Sequence, residues 1–242
     1  MKIIVGRKPV LEAINSNEEI DQVYILFGQK GSIVDTIRAA SKKRGIKCNL
    51  VPYEKFNSLV QHQNHQGVAA VISDQKFYSL QAIISSSKQS KYPLVLILDS
   101  IQDTHNVGAI LRTAECAGCD GIIVTKHNSA PINQTVVKTS AGATEHLKIC
   151  LVTNLSQAMK ELKDNNFWLF GSTLENSKIY IEHDYKIPLA LIVGNEEKGI
   201  RKLTADNCDF LVKIPMKGNI QSLNVSVAAG ILLFEILRQR TQ

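Results

Sequence analysis

The chain has 242 residues, 44% hydrophobic and 21% charged, a balance of ordinary globular usage. It excludes a collagen, a coiled-coil rod and a mainly disordered protein. Lys and Arg number 28 against 22 Asp and Glu, giving a net charge of +6 that suits a polyanionic partner, while 6% aromatic residues argue against a surface of stacking platforms.

The opening run MKIIVGRKPVLEA carries charge too early for a secretory leader. No apolar stretch approaches the ~18 residues that span a bilayer. A reduced, cytoplasmic protein without a membrane partner is expected. Residues 22–27 (QVYILF) predict a strand, and 33–44 predict a helix with Ile33, Ile37 and Ala40 on one face and Gly45 as its stop. Residues 47–51 and 68–72 predict further short strands. The polar segment 76–92, with Ser85, Ser86, Ser87 and Ser90, predicts a linker between residues 1–75 and 93–242.

From Pro93 the pattern changes to six short apolar runs: 94–98 (LVLIL), 121–124 (GIIV), 147–151 (LKICL), 167–170 (FWLF), 189–193 (LALIV) and 210–214 (FLVKI). Continuous apolar strands alternating with helical spacing predict an α/β domain whose mainly parallel sheet is covered on both faces. Ligands of such sheets sit beyond the carboxyl ends of the strands, so the loops after these runs are where chemistry belongs.

Three of those loops carry polar groups. After LVLIL comes a helix predicted over 106–117, with Val107, Ile110, Leu111, Ala114 and Ala117 inward. Arg112 points the other way, above the bare Gly108; the bland alternative is a solvated pair with Glu115. After LALIV, Gly194 and Gly199 bracket Asn195, Glu196, Glu197 and Lys198. Two carboxylates there repel a phosphate and suit a ligand with hydroxyls or positive charge. After FLVKI, a Gly-containing loop feeds 225–237, a helix apolar on nearly every side and therefore expected to be buried all round, under the sheet, against a second subunit, or both. Ser222 and Asn224 also fit plain N-cap duty.

Five cysteines, with one C-x-x-C pair at Cys116 and Cys119, fit neither a disulfide framework nor a four-ligand zinc site, so no metal is expected. G-x-G-x-x-G after a strand, G-x-x-x-x-G-K-[ST] and G-x-S-x-G are all absent. The residues alone lead to a three-loop polar site on an α/β scaffold and to no particular reaction.

A resemblance supplies one. LDSIQDTHNVGAILRTA (98–114), LIVGNEEKGI (191–200) and IPMKGNIQSLNVSVA (214–228) resemble, in order and spacing, the three motifs of the SpoU, or TrmH-like, RNA ribose 2'-O-methyltransferases. GRKPVLEAI (6–14) and HQGVA (65–69) resemble the small L30e-like RNA-binding domain of that family. The layout is most similar to members that methylate a guanosine ribose in the P loop of 23S ribosomal RNA. The resemblance implies the SPOUT fold with a C-terminal trefoil knot, S-adenosylmethionine as cofactor and a homodimer. Carried over position by position, it implies Asn106, Arg112, Glu196, Ser222 and Asn224 as catalytic residues. It implies Gly194, Ile214, Leu223 and Asn224 as cofactor-binding residues. Asn195 and Glu197 depart from the small residues frequent in the second motif. Arg38, Lys42, Lys43, Arg44 and Lys47 are candidates for RNA phosphates, against a solvated helix face. The rival functions are the same chemistry on transfer RNA and a catalytically silent RNA-binding scaffold.

Overall fold

Chain order in the first part is β1 (Lys2–Val5), α1 (Arg7–Asn15), β2 (Ile20–Leu26), α2 (Ser32–Lys43), β3 (Lys47–Val51), α3 (Tyr53–Val60) and β4 (Val68–Ile72). The computed structural model describes residues 2–16, 18, 20–60, 65–72, 75–195, 198–219 and 222–242, and divides into units Met1–Asp74 and Gln75–Gln242. In the first unit the strands form one sheet in the order β1-β4-β2-β3. β4 runs antiparallel to β1 and β2, and β2 runs parallel to β3. Strand alternation decides the layering. Val23 and Ile25 meet Val10, Ile14, Val34 and Ile37 of α1 and α2, while Tyr24 and Leu26 join Phe56 and Val60 of α3 on the other face.

The second unit contains α4 (Leu80–Ser87), β5 (Leu94–Asp99), α5 (Thr104–Cys116), β6 (Gly121–Thr125), α6 (Gln134–Thr139), α7 (Ala143–His146) and β7 (Ile149–Val152). It continues with α8 (Leu155–Asp164), β8 (Trp168–Ser172), β9 (Lys178–Ile179), β10 (Leu189–Gly194), α9 (Lys202–Asp206), β11 (Phe210–Lys213) and α10 (Val225–Thr241). Its strands run parallel in the order β7-β6-β5-β10-β8-β11-β9. Both faces are covered, as the continuous apolar strands predict. Leu94, Leu96 and Leu98 pack with α5 and α10, whereas Val95 and Ile97 pack with α4 and α8.

The segment 76–92 is not a free linker. Phe77 bridges to Ile149, and Ser79 caps α4 by accepting from the amide of Ala82. Ile83 and Ile84 of α4 are buried in the core of the second unit. The serines that made this stretch look polar satisfy themselves locally: Ser86 and Ser87 donate to the carbonyls of Ile83 and Ile84 at 3.0 and 2.9 Å.

Helix α10 is buried by its own chain on one side only. Val225, Ala229, Leu232, Leu233 and Ile236 face the sheet, but Val227 is 51% and Phe234 49% exposed. Apolar composition on every side fixes no inward face, and here one side stays uncovered by its own chain. Among the described residues no helix is long and apolar enough to cross a membrane.

Candidate active site

Beyond the carboxyl ends of β8, β10 and β11 lies a cleft of about 860 Å³, within the range of small-molecule sites. Gly194, Asn195, Lys198, Gly199 and Ile200 form one wall, and Ile214, Met216, Ser222 and Leu223 another. The third wall, Ser172 to Asn176 after β8, was not singled out in the sequence, although it follows an apolar run like the others. Lys198, Lys202 and Lys213 stand with Glu175 and Asp206 around it. Both signs of charge on partly apolar walls suit a small ligand with polar and apolar parts.

The turn after β10 dictates its own glycines. The amide of Asn195 donates to Gly199 at 3.0 Å and that of Gly199 to Asn195 at 2.8 Å, closing a tight bridge. A Cβ on Gly194 would lie 2.2 Å from backbone atoms of Gly199 and Ile200, so no other residue fits there. Gly199 itself takes a φ of +64°. Of the residues expected at the cofactor, Gly194, Ile214 and Leu223 line the cleft, as does Ser222. Asn224 stands at the next position as the cap of α10, accepting from the amide of Ser226 at 2.9 Å. Glu196 lies outside the described residues.

Asn224 also joins two of the motifs. Its Nδ2 donates to Oδ1 of Asn106 at 3.0 Å, linking the start of α10 to the start of α5. Helix α5 begins two residues before the expected Asn106, because Asp103 caps it by accepting from the amides of His105 and Asn106 at 2.6 and 3.2 Å. Arg112 is not gathered at this pair. Six residues on, it stands ~9 Å along the helix axis and well round from Asn106. It is exposed and forms no pair with Glu115 among the described residues. The bare Gly108 admits helix α6 rather than a ligand: a Cβ there would lie 2.5 Å from Thr139 Cβ.

In the first unit the expected RNA contacts divide. Lys42, Lys43 and Lys47 are exposed, and Arg38 approaches Asp35 at 4.0 Å across solvent. Arg44 is already partly engaged within its own unit. It donates to the carbonyls of Ile14 and Glu18 at 2.5 and 2.9 Å, satisfying the end of α1, where an arginine fork reaches two carbonyls at once. Sequence reasoning also passed over Arg7, which ties two loops by donating to Gln66 O at 3.1 Å and Gln29 Oε1 at 2.5 Å.

Asp99 lies within the first motif but was given no role from the sequence, and Arg201 follows the second motif by one residue. Asp99, at the end of β5, is fully buried and receives Arg201 Nε at 2.7 Å and Thr204 Oγ1 at 2.8 Å. Nearby, burial pushes the Cys208 thiol up to about 12, so it stays protonated and serves as packing.

Comparison with known proteins agrees with this layout. Residues 93–234 match the SpoU rRNA Methylase family, and residues 3–78 match the RNA 2'-O ribose methyltransferase substrate binding family. A relative from Staphylococcus saprophyticus named for the TrmH family of tRNA/rRNA methyltransferases is 41% identical over 98% of this chain and 96% of its own. An AdoMet-bound rRNA methyltransferase from Sinorhizobium meliloti superposes with a TM-score of 0.64 at 26% identity, over 98% of this chain and 86% of that one. A TrmH/SpoU tRNA modifying enzyme from A. aeolicus gives 0.58 at 32% identity, over 67% of this chain and 82% of that one.

Proposed function

The chain belongs to the SpoU rRNA methylase family, and we propose that this S-adenosylmethionine-dependent RNA methyltransferase modifies the ribose 2'-hydroxyl of a guanosine in the P loop of 23S ribosomal RNA. The observation that carries a ribose 2'-hydroxyl target is the match of residues 3–78 to a 2'-O ribose substrate-binding domain ahead of the methylase unit. A ribosomal substrate is favoured by likeness to the Sinorhizobium enzyme over 98% of this chain, against 67% for the tRNA modifying enzyme. Such a substrate is met in the cytoplasm.

S-adenosylmethionine, when bound, supplies an electrophilic methyl group on a sulfonium. The cleft at Gly194, Ile214 and Leu223 is the place proposed for it, since its mixed lining suits an adenine ring and a zwitterionic tail. In the reaction the 2'-oxygen forms a bond to the methyl carbon as the carbon–sulfur bond breaks, and the hydroxyl proton leaves to solvent. The chain has to hold the hydroxyl in line and favour its developing negative charge. A guanidinium stays protonated in proteins. Arg112 therefore serves best as an electrostatic stabiliser that also grips a neighbouring RNA phosphate. Asn106 and Asn224 fix the relative placement of their two loops. Glu196 and Ser222 complete the proposed set, Ser222 from the cleft wall.

The reading includes a homodimer, supported by the uncovered stripe of Val227 and Phe234 on α10. It includes the trefoil knot that the resemblance to the family implies. Lys42, Lys43, Lys47 and Arg38 are proposed to follow RNA phosphates from the first unit.

The test is methyl transfer from labelled S-adenosylmethionine to ribosomal RNA fragments and to transfer RNA, with the product mapped by resistance of 2'-O-methylated sites to alkali. Label at a P-loop guanosine supports the proposal. Label on transfer RNA alone transfers the same chemistry to that substrate, and RNA binding without label leaves a silent scaffold.

A further inference from the structure

The turn that walls the cleft is held from beneath by one buried carboxylate. Strands β5 and β10 pair in parallel, with Gly194 opposite Asp99 as the last register position. From Gly194 the chain runs along the cleft through Asn195, Lys198, Gly199 and Ile200 and then enters α9. Both ends of this turn are tied to the residues that close β5. At its start, Asn195 Nδ2 donates to Ser100 O at 3.4 Å. At its exit, Asp99 accepts from the Arg201 amide at 3.1 Å, Arg201 Nε at 2.7 Å and Thr204 Oγ1 at 2.8 Å. Ser100 adds its own hydroxyl at 3.1 Å.

A carboxylate with no solvent exposure is costly unless its oxygens are answered by donors. Here four donors answer it, three of them from the segment that follows the cleft wall. Arg201 is half exposed, so the outer side of its guanidinium is open to solvent. Asp99 thus depends on Arg201 and Thr204 for its donors and in return fixes both residues against the end of β5. Ser100 takes a φ of +64°, an uncommon conformation for a residue with a side chain, and it is held between these same contacts.

We infer that Asp99, acting through Arg201 and Thr204, is a positioning residue that sets the cleft wall of Gly194, Asn195, Gly199 and Ile200 to the shape that binds S-adenosylmethionine. The inference rests on the cofactor reading of the cleft. Asparagine at 99 keeps the size of the side chain but turns an N–H₂ toward a donor where an oxygen accepted. The turn should then loosen without an unpaired charge being left in the core, because Arg201 can be hydrated. Valine at 204 removes one donor at constant shape, and serine restores it.

The experiment measures S-adenosylmethionine binding by calorimetry and steady-state methylation at saturating RNA, with the full chain as wild type, Asp99→Asn, Thr204→Val and Thr204→Ser. Loss of a buried charge-assisted bond predicts a Kd and a KM for S-adenosylmethionine raised about tenfold in Asp99→Asn, and severalfold in Thr204→Val. The kcat at saturating cofactor should stay within about twofold, since the groups at the reacting atoms are untouched. Thr204→Ser should return to wild-type binding. Lower kcat with unchanged KM, the signature of a smaller folded fraction, overturns the inference. So does unchanged binding in every variant while the wild type binds. A wild type that binds no S-adenosylmethionine overturns the cofactor reading and this inference with it. If Asp99→Asn does not fold, the Val and Ser variants at 204 decide the matter by the same criteria.

Discussion

Asn224 donates from Nδ2 to Oδ1 of Asn106 at 3.0 Å, fastening the first turn of α10 to the first turn of α5 across 118 residues of chain. The same side chain accepts from the amide and hydroxyl of Ser226 at 2.9 and 2.6 Å. Both ends of its amide are thus engaged, one in capping a helix and one in joining two motif loops. The capping explanation and the functional one are not rivals at this position.

Replacing Asn224 should separate the two tasks. Asn224→Ala removes cap and link, and loss of a cap costs about 1 kcal/mol. Asn224→Asp keeps the cap but has no N–H to give Asn106. Thermal melting should fall for Ala and hold for Asp, while methylation falls by roughly fivefold or more in both, the equivalent of one hydrogen bond of about 1 kcal/mol. Full activity in the Asp variant would mean that the link to Asn106 is idle.

Arg112 is exposed, and its removal leaves no buried partner behind, so Arg112→Ala should fold as the wild type does by circular dichroism. Its turnover should drop by ~10²–10⁴, the span for one positioned catalytic group. Arg112→Lys should recover part of the loss if the role is electrostatic, because charge survives but the fork does not. Near wild-type methylation by the Ala variant would remove Arg112 from the site.

Assembly can be probed on the uncovered side of α10. Phe234 is 49% exposed, whereas Leu232 is 2% exposed and belongs to the core. Phe234→Glu should therefore yield a folded monomer, while Leu232→Glu should unfold the chain, since burying an unpaired carboxylate is strongly unfavourable. Light scattering at micromolar concentration reads the outcome. A monodisperse wild-type monomer would refute the dimer.

The sheet was legible in the sequence because its signal is local. Residues 94–98 and 189–193 are apolar at every position, and strands buried on both faces have no other pattern. The two-residue strand β9 is too short to leave one, and α4 was hidden by serines that bond back to their own helix. Glycines that bracket a polar turn, Gly194 and Gly199, do line the cleft. What could not be read was which partner a polar side chain finds far along the chain. Nothing local distinguishes Arg44, spent on the carbonyls of Ile14 and Glu18, from the exposed lysines beside it. Nothing local shows that Asp99 meets Arg201 and Thr204. For α10, composition announced burial on all sides, and only the tertiary packing tells Leu232 from Phe234.

Truncation separates the units and tests where the boundary lies. Ten of the 28 basic residues precede Gln75. A chain starting at Gln75 keeps Phe77 against Ile149 and the whole of α4, so it should fold and retain S-adenosylmethionine binding. Its RNA affinity should fall, and its salt dependence should flatten by ~0.7–0.9 in slope for each RNA phosphate that is no longer neutralised. A chain starting at Ser90 also lacks α4. Gly121 has no side chain of its own to fill the space: a Cβ there would lie 2.4 Å from Ile83 Cγ2. Removing Ile83 and Ile84 bares one face of β5 and β6, at a cost of ~2–5 kcal/mol for each large buried aliphatic side chain. The shorter chain should melt well below the longer one or fail to fold, as read by calorimetry. Equal melting of both would show that α4 is dispensable. Unchanged RNA affinity and salt slope in the Gln75 chain would show that the first unit does not hold the substrate.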